Sequence, residues 1–426
     1  MHNYVYNVLL LVFFPVVLLV FFFRVIQGKE EKNKYLARFG IANKRRPSNK
    51  HVIWFNACSV GEAKSILGLA KIFLANGDTV LITSNTLLSS FYIRNNFPKK
   101  IIHQFTPFDF IFTVKRFIKY WKPKIGIFVE SELWPNLIQS AKKNKIPLFL
   151  IQARFSEKTL NNWKYFDKFF KSILNSFDLI IAQSEAEKNK IKNSTGINVN
   201  AVINLKLSSI KLKTQKKELS NIKGQILKYT TITALSTHPG EEKILLETFK
   251  VLKKKYIDLI LILQPRHPAR SKEVIKLVKN YDLVFKTRSL NQYPDKNTDV
   301  YICDTFGESG NLISASDIII LGGTLTPIGG HNIIEPAQFG KCIISGEYYY
   351  KIKDTIALFK KSNAAFTTNN IKLANTLELF IKNKKLLNEV GNNAYKLTKT
   401  FENNEKILYK KIKIFNLKNE NSKILV

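Results

Sequence analysis

Carboxylate side chains follow two apolar runs of the chain and offer acid–base chemistry. Ser59, Gly61 and Glu62 lie in NACSVGE, straight after the run HVIWFNA. Glu62 stands three residues after Ser59, a spacing typical of a capping box at a helix start. The same position suits a general base, because the positive end of a helix dipole favours an ionised carboxylate. Both interpretations stay open on the residues alone.

A second acidic pair, Glu130 and Glu132, lies in VESELWPN at the end of the run KIGIFVE. Two acids at i and i+2 on a strand end are expected to point the same way. Helix capping alone rarely needs both acids and an aromatic residue, so this pair favours function. Arg154 follows the run PLFLIQA and Lys206 closes NLK, but neither is distinctive when taken alone.

The second half of the chain carries basic, histidine-rich and glycine-rich junctions. His238 lies in STHPGEE, which is either a capped helix start or an anion site, and PRHPAR places Arg266 and Arg270 where they suit an anion. Glu308 lies on a turn in DTFGESG.

The densest pattern is LGGTLTPIGGHNIIEP at 321–336, which is neither a Walker A motif nor a G-x-G-x-x-G fingerprint. Its four glycines let the backbone approach a ligand closely, and the helix start after His331 suits a phosphate. Glu335 follows where it could bind a ribose diol. A purely structural glycine turn is the alternative.

Short apolar runs that alternate with amphipathic segments must position these residues. They predict an α/β protein with two Rossmann-like domains facing a central cleft, with parallel sheets that bind ligands at the carboxyl ends of their strands. We place the domains at 51–206 and 229–426, with a polar linker at 207–228. The strands are predicted at 51–57, 79–85, 124–130, 147–153, 179–184, 229–236, 258–265, 299–305 and 317–324.

The chain has 426 residues and a formal net charge of +35, from 67 Lys and Arg against 32 Asp and Glu. That charge suggests nucleic acid, yet only 10 of the basic residues are Arg, the better reader of bases and phosphates. We therefore interpret the excess of lysine as compositional drift. Three cysteines without metal-ligand spacing predict neither a disulfide framework nor a metal site.

The N-terminal run Tyr4 to Phe23 has twenty residues and no charge. This length suits one transmembrane helix, and we place the anchor at residues 1–25. A signal peptide is the alternative, but no basic segment precedes the run and no A-x-A site follows it. The basic juxtamembrane segment, residues 26–50, predicts a single-pass inner-membrane protein whose body is cytoplasmic and meets anionic lipid. The basic residues after the run are Arg24, Lys29, Lys32, Lys34, Arg38, Lys44, Arg45, Arg46 and Lys50.

In this order, the motifs resemble those of the 3-deoxy-D-manno-octulosonic acid (Kdo) transferases, which transfer Kdo from CMP-Kdo to the lipid A precursor of Gram-negative bacteria. The resemblance runs over residues 1–345, and the tail beyond shows no motif. Cys58 and Gln152 depart from the family's usual small residue and Asn. The segments that carry the resemblance are ACSVGE, ESELWPN, QARFS, NLK, STHPGEE, PRHPAR, DTFGESG and GGTLTPIGGHNIIEP.

The resemblance implies a GT-B fold and an inverting, metal-independent transfer without a cofactor. By position, Glu62 matches the family's general base, and Glu132 and Lys206 match the pair thought to stabilise the transition state. Ser59, Gly61, Arg154, His238 and His331 are possible additional site residues. The residues that match the CMP-Kdo-binding segments are Pro265, Arg266, Gly307, Glu308, Ser309, Asn332, Ile333, Ile334 and Glu335.

The expected partners are CMP-Kdo, the acceptor lipid IVA and anionic membrane lipid, and we expect no nucleic acid. Two alternatives remain: a GT-B enzyme that uses another nucleotide sugar, and a membrane-tethered nucleic-acid-binding protein suggested by charge alone. Glu62 and Glu132 argue against the second alternative, since a binding protein has no need of them.

Overall fold

The computed structural model describes residues 2–31, 34–48, 51–208 and 211–424. The chain divides into two compact units. The first unit comprises Met1–Ser208 and Asn403–Val426, and the second comprises Ser209–Glu402.

The first unit is built on a parallel sheet. Its strands are β1 (Val52–Asn56), β2 (Thr79–Ser84), β3 (Ile102–Phe105), β4 (Ile125–Val129), β5 (Leu148–Ala153), β6 (Leu179–Ala182) and β7 (Ala201–Val202). They lie in the order β3-β2-β1-β4-β5-β6-β7, and each neighbouring pair is parallel.

The second unit repeats this arrangement. Its strands are β8 (Thr230–Thr237), β9 (Leu259–Pro265), β10 (Phe285–Thr287), β11 (Val300–Ile302), β12 (Ile318–Leu321), β13 (Cys342–Ser345) and β14 (Phe366–Thr367). The order is β10-β11-β9-β8-β12-β13-β14, again with parallel neighbours. The expected pair of parallel α/β domains is therefore confirmed.

Helices connect the strands of both sheets. In chain order they are α1 (His2–Val12), α2 (Phe14–Ile26), α3 (Val60–Ala75), α4 (Leu87–Asn96), α5 (Ile111–Trp121), α6 (Pro135–Lys143), α7 (Glu157–Lys164), α8 (Asp167–Leu174), α9 (Glu185–Thr195), α10 (Lys216–Lys223), α11 (Glu241–Lys253), α12 (Ser271–Lys279), α13 (Ser309–Ala315), α14 (Ile334–Ala337), α15 (Lys353–Lys361), α16 (Leu373–Lys382), α17 (Lys384–Phe401) and α18 (Asn404–Ile424). Short 3-10 turns lie at Tyr35–Phe39, Leu205–Leu207, Pro268–Arg270, Arg288–Leu290 and Tyr350–Ile352.

Each sheet is covered on both faces, which explains why the strands read as continuous apolar runs. In β1, Trp54 packs in the core on one face and Phe55 packs in the core on the other. Successive side chains of a strand point to opposite faces, so a strand buried on both sides has no polar alternation. The strand β3 was not predicted because its sequence IHQF buries His103 and Gln104 rather than apolar residues.

The strand order reverses at one point in each sheet. In the first unit this topological switch point lies between β1 and β4, and in the second it lies between β8 and β12. Open parallel sheets bind ligands outside the carboxyl ends of the strands at that point. The motifs at 56–62 and 130–136 follow β1 and β4, and those at 236–242 and 321–336 follow β8 and β12.

Two of the expected domain boundaries need correction. The last helix, α18, belongs to the first unit and not to a domain spanning 229–426, because Leu408 and Ile412 are buried in its core and Asn404 donates to the carbonyl of Asn204 at 3.0 Å. The predicted linker 207–228 contains α10, and Ile222 is buried there against Leu312 of the second unit. Only a few apolar residues of α18 and α10 make these contacts, and so short a pattern does not predict from the sequence where either helix packs.

The apolar N-terminus differs from the single transmembrane helix that we expected. Within the described residues no single helix is long and apolar enough to cross a membrane, while the pair Tyr4–Val12 and Phe14–Ile26, bent by 54°, meets the criterion together. Pro15 lies in the first turn of α2, where it cannot continue the hydrogen bonds of α1. Lys32 and Lys50 of the predicted basic segment lie outside the described residues.

The same segment also packs against the first unit. Tyr6 donates its hydroxyl to Asp109 at 2.9 Å, and the amide of Asn136 donates to Asn7 at 2.7 Å. Phe21 is buried, with its ring 5.4 Å from that of Phe108. The polar residues of an otherwise apolar run are thus explained by contacts to the body of the unit.

Candidate functional site

Hydrogen bonds hold Glu62 at the start of α3. Its Oε2 accepts the N–H of Cys58 at 2.8 Å and its Oε1 accepts the hydroxyl of Ser59 at 2.7 Å. The N–H of Glu62 in turn donates to Ser59 Oγ at 3.2 Å. Ser59 therefore caps the helix as predicted, but the Glu62 side chain reaches back to the N–H of Cys58 rather than to that of Ser59, so only half of the capping box is formed. These bonds fix the carboxylate in the first turn of the helix.

The environment of Glu62 suits acid–base chemistry. Glu62 is 5 % exposed, and this desolvation raises its pKa to about 7. The bonds from Ser59 and Cys58 oppose the rise, whereas the negative charges of Glu132 and Glu130 add to it. A carboxyl group with a pKa near neutral can accept a proton and release it again, as a general base must.

Gly61 leaves open space in front of this helix start. A Cβ atom at Gly61 would have Ser59 Oγ as its nearest neighbour, at 3.9 Å. Packing within the protein therefore does not require glycine at this exposed position, and the space is available for a ligand that approaches Glu62.

Glu130 forms the ion pair of the second acidic motif. It follows β4 with a φ of 59°, a left-handed conformation that is uncommon for residues other than glycine. Its Oε1 accepts Lys206 Nζ at 2.5 Å, and both side chains are partly buried. Strained backbone of this kind concentrates at functional sites.

The structure removes the reason for expecting Glu130 and Glu132 to point the same way. Because β4 ends at Val129 and Glu130 adopts a positive φ, the alternation of the strand does not continue through the motif. Lys206 pairs with Glu130 rather than Glu132. The charge of Glu132 instead raises the pKa values of Glu62 and of the buried Cys58 thiol, in both cases behind the larger effect of desolvation.

Gln152 positions the loop that carries Lys206. Its side chain is fully buried, donates to the carbonyl of Ile203 at 2.5 Å and accepts the N–H of Leu205 at 3.1 Å. The departure from the family's usual Asn at this position therefore has a structural role here. Arg154 lies two residues further on and is exposed, and among the described residues its guanidinium has no acceptor.

In the second unit, the carboxylate of Glu241 holds the glycine-rich loop. This fully buried side chain accepts the backbone N–H groups of Gly323 at 2.7 Å, Thr324 at 3.0 Å and Leu325 at 2.9 Å, together with that of His238 at 2.9 Å. These donors are consequently not available to a phosphate. The loop was expected to hold a ligand with its backbone, and the structure assigns this part of it to an internal carboxylate.

Gly322 allows the glycine-rich loop to pack closely against the end of β8. A Cβ atom there would lie 2.3 Å from the carbonyl oxygens of Leu235 and Ser236, so only glycine lets the loop pass so close to the end of β8. Ser236 itself has a φ of 58°, the same unusual conformation as Glu130 at the switch point of the other sheet.

Imidazoles and an arginine occupy the space at this switch point. The rings of His238 and His331 are nearly parallel, with centroids 5.0 Å apart and their Nε2 atoms 2.8 Å apart, so they meet through these nitrogens. The ring of His267 stands edge-on to His238 at 6.3 Å. Arg266 follows Pro265, the last residue of β9, and is exposed. Arg270 of the same motif binds Glu242 at 2.8 Å and Glu273 at 2.9 Å, so its charge is used within the protein.

The remaining predicted donor-site residues lie at the same edge of the sheet. Glu308 is 8 % exposed and its Oε1 accepts Arg288 Nε at 2.7 Å, while no described residue donates to its buried Oε2. Ser309 exchanges hydrogen bonds with Gln264, and Gly307 has a φ of 84° with open space beside it.

The start of α14 is organised by its own side chains. Asn332 accepts the N–H of Ile334 at 3.0 Å and donates to Glu335 Oε1 at 3.0 Å. Ile333 and Ile334 are buried, so only their backbone can face a ligand, whereas Glu335 is partly exposed. Among the described residues no group of three or more His, Cys, Asp or Glu side chains is placed to hold a metal ion.

The positioning residues Gln152, Glu241 and Arg288 were missed by sequence reasoning, and Glu130 was given no separate role. Their partners lie far away in the chain, as with Lys206 and Glu130, which are 76 residues apart. The only available signal was their position directly after, or at the end of, an apolar run.

Comparisons with known proteins agree with the motifs. A family model described as 3-Deoxy-D-manno-octulosonic-acid transferase (kdotransferase) matches residues 33–209. The 3-deoxy-D-manno-octulosonic acid transferase of Rickettsia bellii (strain RML369-C) is 37 % identical over 400 residues, covering 92 % of this chain and 94 % of that protein. The protein of the same name from Haemophilus influenzae is 28 % identical over 416 residues, covering 93 % of this chain and 95 % of its own length.

The solved structures support the fold. A glycosyltransferase from Rickettsia africae ESF-5 superposes with a TM-score of 0.60 at 16 % identity, over 87 % of this chain and all of that one. The two parallel α/β units therefore resemble GT-B glycosyltransferases.

Proposed function

The chain belongs to the 3-deoxy-D-manno-octulosonic acid (Kdo) transferase family, and on this basis we propose that it transfers Kdo from CMP-Kdo to lipid IVA and releases CMP. The observation that carries the catalytic part of the proposal is the buried carboxylate of Glu62, fixed at a helix start beside open space and with a pKa of about 7. The names of the relatives support the transferred sugar.

The proposed reaction is a single displacement with inversion. Glu62 accepts the proton of an acceptor hydroxyl, and the oxygen attacks the anomeric carbon of Kdo. The bond between that carbon and the phosphate oxygen breaks, and its electron pair stays on the phosphate of CMP. One proton is transferred to Glu62 for each glycosidic bond formed, and solvent takes it up before the next turnover.

Lys206 stabilises the negative charge that develops during transfer. Its ammonium is held by Glu130 at 2.5 Å and is only partly exposed, so its position is fixed before the substrate arrives. Glu132, the residue that the family resemblance places in this role, lies where its charge acts on Glu62. We therefore assign the pairing with Lys206 to Glu130 and the tuning of the base to Glu132.

We assign the donor to the second unit, at the switch point of its sheet. Arg266, Ser309 and Glu335 lie at the carboxyl ends of the strands, where nucleotides bind in folds of this class. CMP-Kdo has one phosphate, so no metal ion is needed to bridge two phosphates. Fixed cationic side chains are sufficient to neutralise the leaving group.

The membrane part of the proposal depends on the N-terminus. The bent pair α1 and α2 exposes apolar side chains such as Leu11, Phe13 and Phe22. Basic residues follow it, and in membrane proteins such residues stay on the cytoplasmic side. We propose a protein of the inner membrane with its catalytic units in the cytoplasm, where it meets a lipid acceptor.

Mass spectrometry of lipid IVA incubated with the full chain and CMP-Kdo tests the proposal. We expect the acceptor to gain the mass of one or more Kdo units, also in the presence of EDTA, and we expect Glu62→Gln to abolish the gain. A product formed only from another nucleotide sugar would transfer the assignment to a different GT-B reaction. A product formed equally by Glu62→Gln would remove Glu62 from the role of base.

A further inference from the structure

The contact between His238 and His331 determines which of their ring nitrogens carry a proton. Their Nε2 atoms are 2.8 Å apart, and the rings are nearly parallel, with 16° between their planes. A hydrogen bond between two imidazole nitrogens needs a proton on one of them and a lone pair on the other. The neutral pair therefore holds one Nε2 proton between the rings and presents one Nδ1–H donor and one bare Nδ1 atom.

Charges on several elements face the pair. Arg266 and His267 lie on the loop after β9, Arg270 lies on the following turn, and Lys351 lies beside the glycine-rich loop. Two acids of α11 also face it. Glu241 binds the N–H of His238, and Glu242 binds Arg270, whose second partner is Glu273. Arg266 and Lys351 are the cations around the pair that have no acidic partner among the described residues.

Without a ligand, this environment keeps the pair neutral at pH 7. Desolvation, followed by the charges of His238, Arg266, Lys351 and His267, lowers the pKa of His331 to about 4. Desolvation, followed by the charges of His267, Arg266 and Arg270, lowers the pKa of His238 as well. A bound anion reverses the field that the cations produce and favours the protonated pair, which then has a donor at both Nδ1 atoms.

We propose that His238 and His331 form a proton-linked phosphate site, in which binding of the CMP phosphate is accompanied by uptake of one proton into the imidazole pair. This inference rests on the proposed CMP-Kdo donor. It adds how the negative charge of the donor's phosphate is balanced. The pair lies at the switch point between β8 and β12, where a ligand of the second unit is expected.

Proton uptake by the imidazole pair offsets negative charge that the reaction produces on the phosphate of CMP. The phosphodiester of CMP-Kdo carries one negative charge, and the phosphate monoester of CMP carries close to two above its second pKa of about 6. The site must therefore hold one more negative charge after the C–O bond breaks. A proton taken from solvent by the pair compensates for that charge, independently of the acceptor proton that Glu62 receives.

Calorimetric titration of the full chain with CMP at pH 7.5, in two buffers of different ionisation enthalpy, measures the proton directly. We expect an uptake of about one proton per CMP, and an affinity that weakens about tenfold per pH unit where the pair titrates. Titration of the ligand has the opposite sign, since a cationic site can only remove the residual proton of CMP. Cytidine lacks the phosphate and should bind without uptake.

Three variants separate the pair from its surroundings. His331→Gln and His238→Gln should each abolish the uptake and flatten the pH dependence of CMP affinity. His267→Gln removes a neighbouring imidazole outside the hydrogen bond and should retain the uptake. Uptake that persists in both pair variants, or is absent in the wild type that binds CMP, overturns the imidazole proposal alone. If the wild type does not bind CMP, both this inference and the proposed donor fail.

Discussion

The two units share one topology and use opposite charges at the same place in it. At the switch point of the first sheet lie the carboxylates of Glu62, Glu130 and Glu132, and among the described residues Lys206 is the one cation paired with them. The corresponding place in the second sheet presents imidazoles and Arg266. A parallel sheet therefore determines where a site lies, whereas the residues after its strands determine what chemistry it performs.

The difference extends to how each unit uses its buried acid. In the first unit, the buried Glu62 lies in the first turn of α3, and open space lies in front of that helix. The second unit satisfies its buried Glu241 with four backbone N–H groups, so that its charge is used inside the protein. One carboxylate is left reactive and the other shapes a loop, which leaves cations to face the ligand.

Glu62→Gln tests the reactive half of this contrast and should have the largest effect. Because the amide cannot accept the acceptor proton, we expect kcat to fall by about 10²–10⁴-fold while CMP affinity stays unchanged. Steady-state kinetics and calorimetry measure the two quantities. Glu187→Gln is the matched control, since Ser184 and Glu187 form the same spacing at the start of α9. An equal loss of activity in both variants would mean that the helix cap, and not the base, was removed.

Glu241→Gln tests the other half of this contrast, the structural role of the buried carboxylate in the second unit. The amide leaves backbone donors of the glycine-rich loop unpaired, so we expect the free energy of unfolding to fall by about 2–4 kcal/mol, with weaker CMP binding. Thermal unfolding measures the first effect. Glu247→Gln changes an exposed residue of the same helix, α11, and should leave the melting temperature unaltered. Unchanged stability in Glu241→Gln would show that the loop does not depend on this carboxylate.

Lys206→Met tests the only close cation of the acidic site among the described residues. We expect kcat to fall about 10–100-fold because developing negative charge loses a fixed partner. In a double-mutant cycle, Glu130→Gln should couple to Lys206→Met, whereas Glu132→Gln should add independently. Lys142→Met breaks an exposed pair with Asp178 and serves as the control. Coupling to Glu132 instead would reverse the assignment of the two glutamates.

The pH profile carries the smallest expected effect. Activity needs ionised Glu62, so kcat/KM should rise with pH through about 7 and level off above it. Glu132→Gln removes the neighbouring charge that has the larger effect on the pKa of Glu62, so it lowers that pKa and moves the rise to lower pH. Glu130→Gln should move it less. A profile that is identical in all three proteins would mean that these charges do not act on the base.

Much of the architecture could be predicted from the chain. Continuous apolar runs marked the nine predicted strands, and the Ser59–Glu62 spacing predicted the helix cap that Ser59 forms. The short strand β14 and helices α15 to α18 were missed in a tail that shows no motif. The bend between α1 and α2 was also missed, although Pro15 lies at its start.

The sequence by itself determined which residues follow which strands, because local patterning and capping depend on neighbours within a few positions. Only the tertiary structure decided that Lys206 meets Glu130, that Glu241 holds Gly323 and that His238 meets His331. These partners are 76 to 93 residues apart. The order of strands in a sheet and a positive φ at a strand end bring them together, and neither is expressed in the spacing of residues along the chain.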